Sequence, residues 1–123
     1  MTHTAIIEYI PLSIHLHEVK MNDYLQRKFY QMVSTLKKQS SDIVKVDLWV
    51  EAFGSEAKNP RKITATVRFP DISLSASDSG KQWKFIIKQV QIRLARQIEK
   101  RAFLLKRPSG RSTAEILANI ASP

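Results

Sequence analysis

Two histidines, His15 and His17, stand two residues apart, a spacing that puts both on one face of an extended strand and supplies half of a metal site. The other half is missing. There is no cysteine, His3 lies near the chain start, and Glu8 and Glu18 have no defined spacing to the pair, so metal binding is not expected. The acids are scattered singly rather than paired as general acid and base, and no serine lies in a nucleophile-elbow motif. Gly80 is a lone glycine without the spacing of a phosphate-binding loop. These absences predict a non-enzymatic protein with no cofactor and no small-molecule substrate.

The residues that can do chemistry together are the cations. Residues 1–80 hold ten Lys and Arg against nine Asp and Glu, whereas residues 81–123 hold ten against two, so most of the net charge of +9 is C-terminal. A basic excess confined to one segment suits a polyanion, although a solvated lysine-rich helix is the plain alternative. Between Lys81 and Arg107 there are nine basic residues and one acid, Glu99. At about 100° per residue, Arg93, Arg96 and Lys100 share one flank of a helix and Lys84 and Lys88 the other.

The elements that must position them follow from periodicity. Leu12, Ile14 and Leu16 alternate with Ser13, His15 and His17, which predicts a half-buried strand with Pro11 at its start. Asn22 and Asp23 can open a helix whose stripe is Leu25, Phe29, Met32, Val33 and Leu36. A second strand begins near Ile43 and runs through Val44, Val46, Leu48 and Val50; a third carries Ile63, Ala65, Val67 and Phe69; and a fourth, after a Pro70-Asp71 reversal, carries Ile72, Leu74 and Ala76. The second helix, of about 27 residues, should bury Trp83, Ile87, Val90, Leu94, Ile98 and Leu105. Trp49 should face away from the core. Phe85, Ile92 and Phe103 lie opposite the core stripe, where they either widen the buried face or form an interaction patch.

With 123 residues, 43% of them hydrophobic, the chain has the size and apolar content of one domain. The expected architecture is an α+β two-layer sandwich of order β-α-β-β-β-α, with both helices on one face of a four-stranded sheet, close to that of double-stranded-RNA-binding domains. Residues 1–9 read as an N-terminal extension, 10–107 as the domain, and 108–123 as a tail that is flexible or forms a short helix. The longest uncharged stretch, Tyr9 to His17, falls far short of the roughly 20 residues of a membrane span, and no signal peptide opens the chain. A cytoplasmic protein with no membrane contact, monomeric when free, is expected.

Ser77-Asp78-Ser79-Gly80-Lys81-Gln82-Trp83, followed by Ile87 and by Leu94-Ala95-Arg96-Gln97-Ile98, resembles the SAEGxDMYxAID and LxxKLxRQL signature of the bacterial ribosome hibernation-promoting factors and ribosome-associated inhibitors. Leu12-Ser13-Ile14 leading through Met21-Asn22-Asp23-Tyr24-Leu25 to Phe29 is similar to that family's first strand and helix opening. The likeness covers about residues 10–105. It departs at Trp83-Lys84, where Met-Tyr is usual, and at the Phe69-Pro70-Asp71 turn. The resemblance implies a stress-response factor that binds small-subunit rRNA in the channel used by mRNA and tRNA and inhibits translation by idle ribosomes. The candidate RNA contacts are Lys81, Lys84, Lys88, Arg93, Arg96, Lys100 and Arg101 on the second helix, with Arg27, Lys28, Lys37, Lys38, Arg61 and Lys62 as secondary sites. The alternatives are a general RNA-binding module and a protein-interaction domain.

Overall fold

A computed structural model describes residues 1–54 and 56–105 and places among them β1 (Thr2–Ile7), β2 (Ile10–His17), α1 (Asp23–Gln39), β3 (Lys45–Ala52), β4 (Arg61–Arg68), β5 (Ser73–Gly80) and α2 (Trp83–Leu105). The expected tail from residue 108 lies outside the described residues. The strands form one sheet in the order β1-β2-β3-β4-β5, with β2 and β3 parallel and every other pair antiparallel. A parallel pair needs a crossover, and α1 is that crossover. The register sets Leu12 beside Val46, Ile14 beside Leu48, Val50 beside Ile63 and Val67 beside Leu74, so the period-two pattern of β2, β3, β4 and β5 delivers their apolar sets to one face. Both helices cover that face, and their buried side chains join the strands in a single core.

The start of α1 is held by Asn22, whose Oδ1 accepts from the Leu25 amide at 2.8 Å, and its five expected stripe residues are all buried. For α2 the expected stripe needs correction. Ile86, Ile87, Val90, Leu94, Ile98 and Arg101 are buried, while Trp83 is half-buried and Leu105 is exposed. Trp83 stands at the first position of the helix, above the sheet's end, where Arg61 lies 5.5 Å from its ring and replaces part of the apolar cover.

The sheet also has five strands rather than four, because residues 2–7 of the expected extension pair with β2. The hairpin turn is Glu8-Tyr9, both at positive φ (49° and 72°), the type I′ geometry that matches strand twist but usually needs Asn-Gly. Without that signal, and with β1 mostly exposed, neither turn chemistry nor hydrophobic alternation marks the strand. Leu16 N–H donates to the Met1 carbonyl at 2.7 Å, so alternate pairs from there are hydrogen-bonded: His3 with Ile14, Ala5 with Leu12 and Ile7 with Ile10. Pro11, lacking an amide, falls opposite Ile6 in a non-bonded pair, which explains its place inside the strand. The far edge is treated differently. Gln97 donates to the Ser75 carbonyl at 2.8 Å and Arg93 donates to that of Ser77, so α2 blocks the outer rim of β5 against further pairing.

The ladder arithmetic is testable by amide hydrogen exchange. Ala5→Pro removes an amide that bonds β2 and should strip protection from the amides of Leu12 and Ile14. Thr4→Pro replaces an outward-facing amide and should leave that protection intact, at a stability cost within about 1 kcal/mol.

Candidate nucleic-acid interface

The two helices lie side by side, tied by Gln39 Nε2 donating to the Ala95 carbonyl at 2.7 Å, and their outer sides form one surface. On α1 that surface carries Arg27 and Lys38, exposed, and Lys28, half-buried with its ammonium 5.8 Å from the Tyr24 ring centre. A shallow trough along it is lined by Arg27, Tyr30, Ser34 and Lys38. On α2, Lys84, Lys88, Arg96 and Lys100 are all exposed, and Lys81 is exposed just before the first turn. Each pair is spaced four apart, so the two pairs run as rows along the two flanks. Between the rows stands Phe85, 58% exposed, in line with half-buried Ile92 and exposed Phe103. This seam does not widen the core; it faces outward.

Four of the cations named from sequence are engaged elsewhere, and a fifth, Lys62, faces away from the helices. Lys37 donates to the Glu8 carbonyl and lies 5.1 Å from the Tyr9 ring centre, clasping the hairpin turn. Arg93 closes the β5 rim and reaches Asp78 Oδ1 at 3.6 Å. Arg61 donates to the Lys81 carbonyl at 2.5 Å, beside Trp83. Lys62 follows the alternation of β4 onto the sheet face away from the helices.

Arg101 is the clearest correction: at 4% exposure it is not a surface cation at all. Its position, three residues after Ile98 and seven after Leu94, is on the core stripe. The guanidinium donates to Asp42 Oδ2 at 2.6 Å and Asp71 Oδ1 at 2.7 Å, and lies 4.0 Å from the Phe69 ring centre. One side chain thereby ties α2 to the α1–β3 connection and to the β4–β5 turn. Burial works to lower the Arg101 pKa, but the hydrogen bonds it donates to Asp71 and Asp42, with the charge of the two carboxylates, outweigh it and hold the guanidinium more firmly charged. The same hydrogen bond from Arg101 holds the Asp42 carboxyl below its ordinary value, against a smaller opposing effect of burial.

On the sheet's other face, His15 stacks on Trp49 with ring centres 5.1 Å apart and planes 20° from parallel. Its Nδ1 lies 3.3 Å from Thr2 Oγ1, and its Nε2 lies 3.7 Å from Asp47 Oδ1. Among the described residues no group of three or more His, Asp and Glu is placed to hold a metal ion, and no helix is long and apolar enough to cross a membrane.

No protein-family model matches the sequence, and no curated protein matches it. Solved structures do. The N-terminal domain of Protein Y from Thermus thermophilus aligns with a TM-score of 0.61 at 10% identity, over 78% of this chain and 98% of that one. The chain has the fold of that domain. A ribosomal subunit interface protein from Coxiella burnetii aligns with a TM-score of 0.60 at 13% identity, over 71% of this chain and 93% of its own. Both neighbours are covered almost completely, so the shared fold is a whole α+β domain and not a fragment of one.

Removing the buried guanidinium should leave two facing carboxylates. Because both acids retain access to water, Arg101→Ala should cost about 3–4 kcal/mol in urea unfolding, the lower part of the range for a broken buried pair. Arg101→Lys should rescue little, since an ammonium cannot bridge both acids as the fork does. Asp42→Asn gives the pH signature. A depressed folded pKa stabilises the protein above the unfolded value and is lost as pH falls through the folded one. The melting-temperature gap between wild type and Asp42→Asn should therefore be constant from about pH 7 to 5 and close below about pH 4.

Proposed function

We propose that this protein binds the small ribosomal subunit, sets the outer surface of its helices against rRNA, and inhibits translation by idle ribosomes by occupying the mRNA and tRNA channel. The observation that carries the proposal is the helical surface itself, where Arg27, Lys28 and Lys38 from α1 face the same way as Lys84, Lys88, Arg96 and Lys100 from α2. Two parallel rows of cations meet phosphates by charge and charge-assisted hydrogen bonds, with Arg96 able to bind a phosphate bidentately. Phe85 between the rows offers a ring to an unstacked base. The two structural neighbours, one a Protein Y domain and the other a ribosomal subunit interface protein, support the ribosome as the partner. Recognition of this kind reads RNA shape rather than sequence.

The test is sedimentation of cell lysate through a sucrose gradient, comparing wild type with the double variant Arg96→Glu/Lys100→Glu. Neither residue touches the core or the β5 rim, so the variant should fold normally. Wild type should travel with the small subunit or with whole ribosomes, and the variant should remain at the top. Binding of purified wild type should weaken with salt at a log-log slope of about −0.7 to −0.9 per phosphate contact, and the variant should lose about two contacts' worth of slope. Diffuse co-migration with RNA of every size would instead indicate an RNA-binding module without ribosomal preference. A well-folded variant that still travels with ribosomes would remove α2 from the interface.

A further inference from the structure

The face of the sheet that no helix covers carries a second cluster, centred on β3, the middle strand of the five. Trp49, 37% exposed, stacks on His15 of β2, and the residue across from it on β4 is the small Thr64. Asp47, two residues along, is 4% exposed, and its carboxylate is faced by Lys45 at 3.5 Å, Arg68 at 3.7 Å and His15 at 3.7 Å. The separations are those of ion pairs without hydrogen bonds, and Asp47 Oδ2 has no hydrogen-bond partner. One buried acid therefore gathers two permanent cations and a histidine around it, while the Lys45 and Arg68 side chains stay 37% and 57% exposed. Toward β5 the face is built of hydroxyls, as in the Thr66–Ser75 contact at 2.9 Å.

We propose that this uncovered sheet face, with the His15–Trp49 stack at its centre and Arg68 and Lys45 beside it, binds single-stranded RNA by stacking a base on Trp49. The chemistry is distinct from that of the helical surface, and the proposal stands or falls independently of it. An indole on an open sheet offers a platform to any base, the neighbouring cations take the flanking phosphates, and the hydroxyls suit a ribose 2′-OH. A duplex keeps its base faces stacked and is excluded. A protein partner fits less well, because its docking core would want a contiguous apolar patch, and here Trp49 stands among serines, threonines and charges.

The chain has two tryptophans, so Trp83→Phe leaves Trp49 as the sole indole reporter. In that background, titration with a ten-nucleotide oligoadenylate should quench Trp49 emission to saturation, and a blunt RNA duplex should not. By fluorescence anisotropy of the labelled oligomer, Trp49→Ala should weaken binding about tenfold and Trp49→Tyr should restore it. Arg68→Glu, at an exposed position, should weaken binding comparably and guards against misfolding of Trp49→Ala. Arg96→Glu/Lys100→Glu should leave the quenching amplitude unchanged, which separates this face from the helical one. Bound oligomer with unaltered Trp49 emission, or equal quenching by duplex, would overturn the proposal. So would an emission change that follows protein concentration alone, since that would make the face a contact between two copies.

Discussion

The buried apolar core lies on one side of the sheet, and that one-sidedness governs the rest of the molecule. Five strands have two faces, but two helices suffice for only one of them. On the covered side, the helices spend their inner stripes on the core and must turn everything else outward, so basic residues at helical spacing become rows on a common surface. On the uncovered side, period-two alternation leaves polar residues facing water, and an aromatic ring placed there is exposed by geometry. The location of the cations and the exposure of Trp49 thus have the same cause.

The same constraint explains why an arginine is buried. The α2 stripe advances from Leu94 to Ile98 and next reaches the sheet at position 101, beyond the ends of β4 and β5, where the apolar interior gives way to the Asp71 turn and the α1–β3 connection. An aliphatic residue there would bury area but leave two acids near each other without a counter-charge. The guanidinium satisfies both and still lays its flat face on Phe69. A buried ion pair adds little net stability compared with a well-packed apolar replacement, but it specifies one arrangement of three separate chain segments.

What was legible in the sequence followed from period. Alternation in Leu12–Leu16, Val46–Val50 and Ile63–Val67 places three strands and their inward residues, and the Leu25–Leu36 stripe places α1 with its Asn22 cap. Trp49 faces outward as its parity requires. What escaped had no periodic or compositional mark. β1 joins the sheet through backbone bonds and a turn of two ordinary residues at positive φ, so nothing in its side chains announces it. Of the cations, charge shows which residues could meet phosphate but not which are already engaged. The partners of Lys37, Arg61 and Arg93 are backbone carbonyls, which have no sequence signature. Arg101 did carry a signal, since its phase falls with Leu94 and Ile98, and an arginine on a core stripe demands acids brought from elsewhere in the chain.

The two outward surfaces lie on opposite sides of the domain and differ in the physics they offer RNA. Rows of lysine and arginine act through counterion release, so their contribution falls steeply with salt and is nearly indifferent to sequence. A stacking platform acts through contact with an exposed base plane and depends on the strand being unpaired. One short segment cannot engage both surfaces without passing around a rim of the sheet. On the two proposals, folded, phosphate-rich RNA against the helices and a single strand across the sheet would be compatible occupants rather than competitors. A protein held at a ribosomal site by its helices would present its sheet to whatever unpaired RNA lies on the other side, and the local concentration created by the first contact would allow even a weak stacking interaction to be occupied.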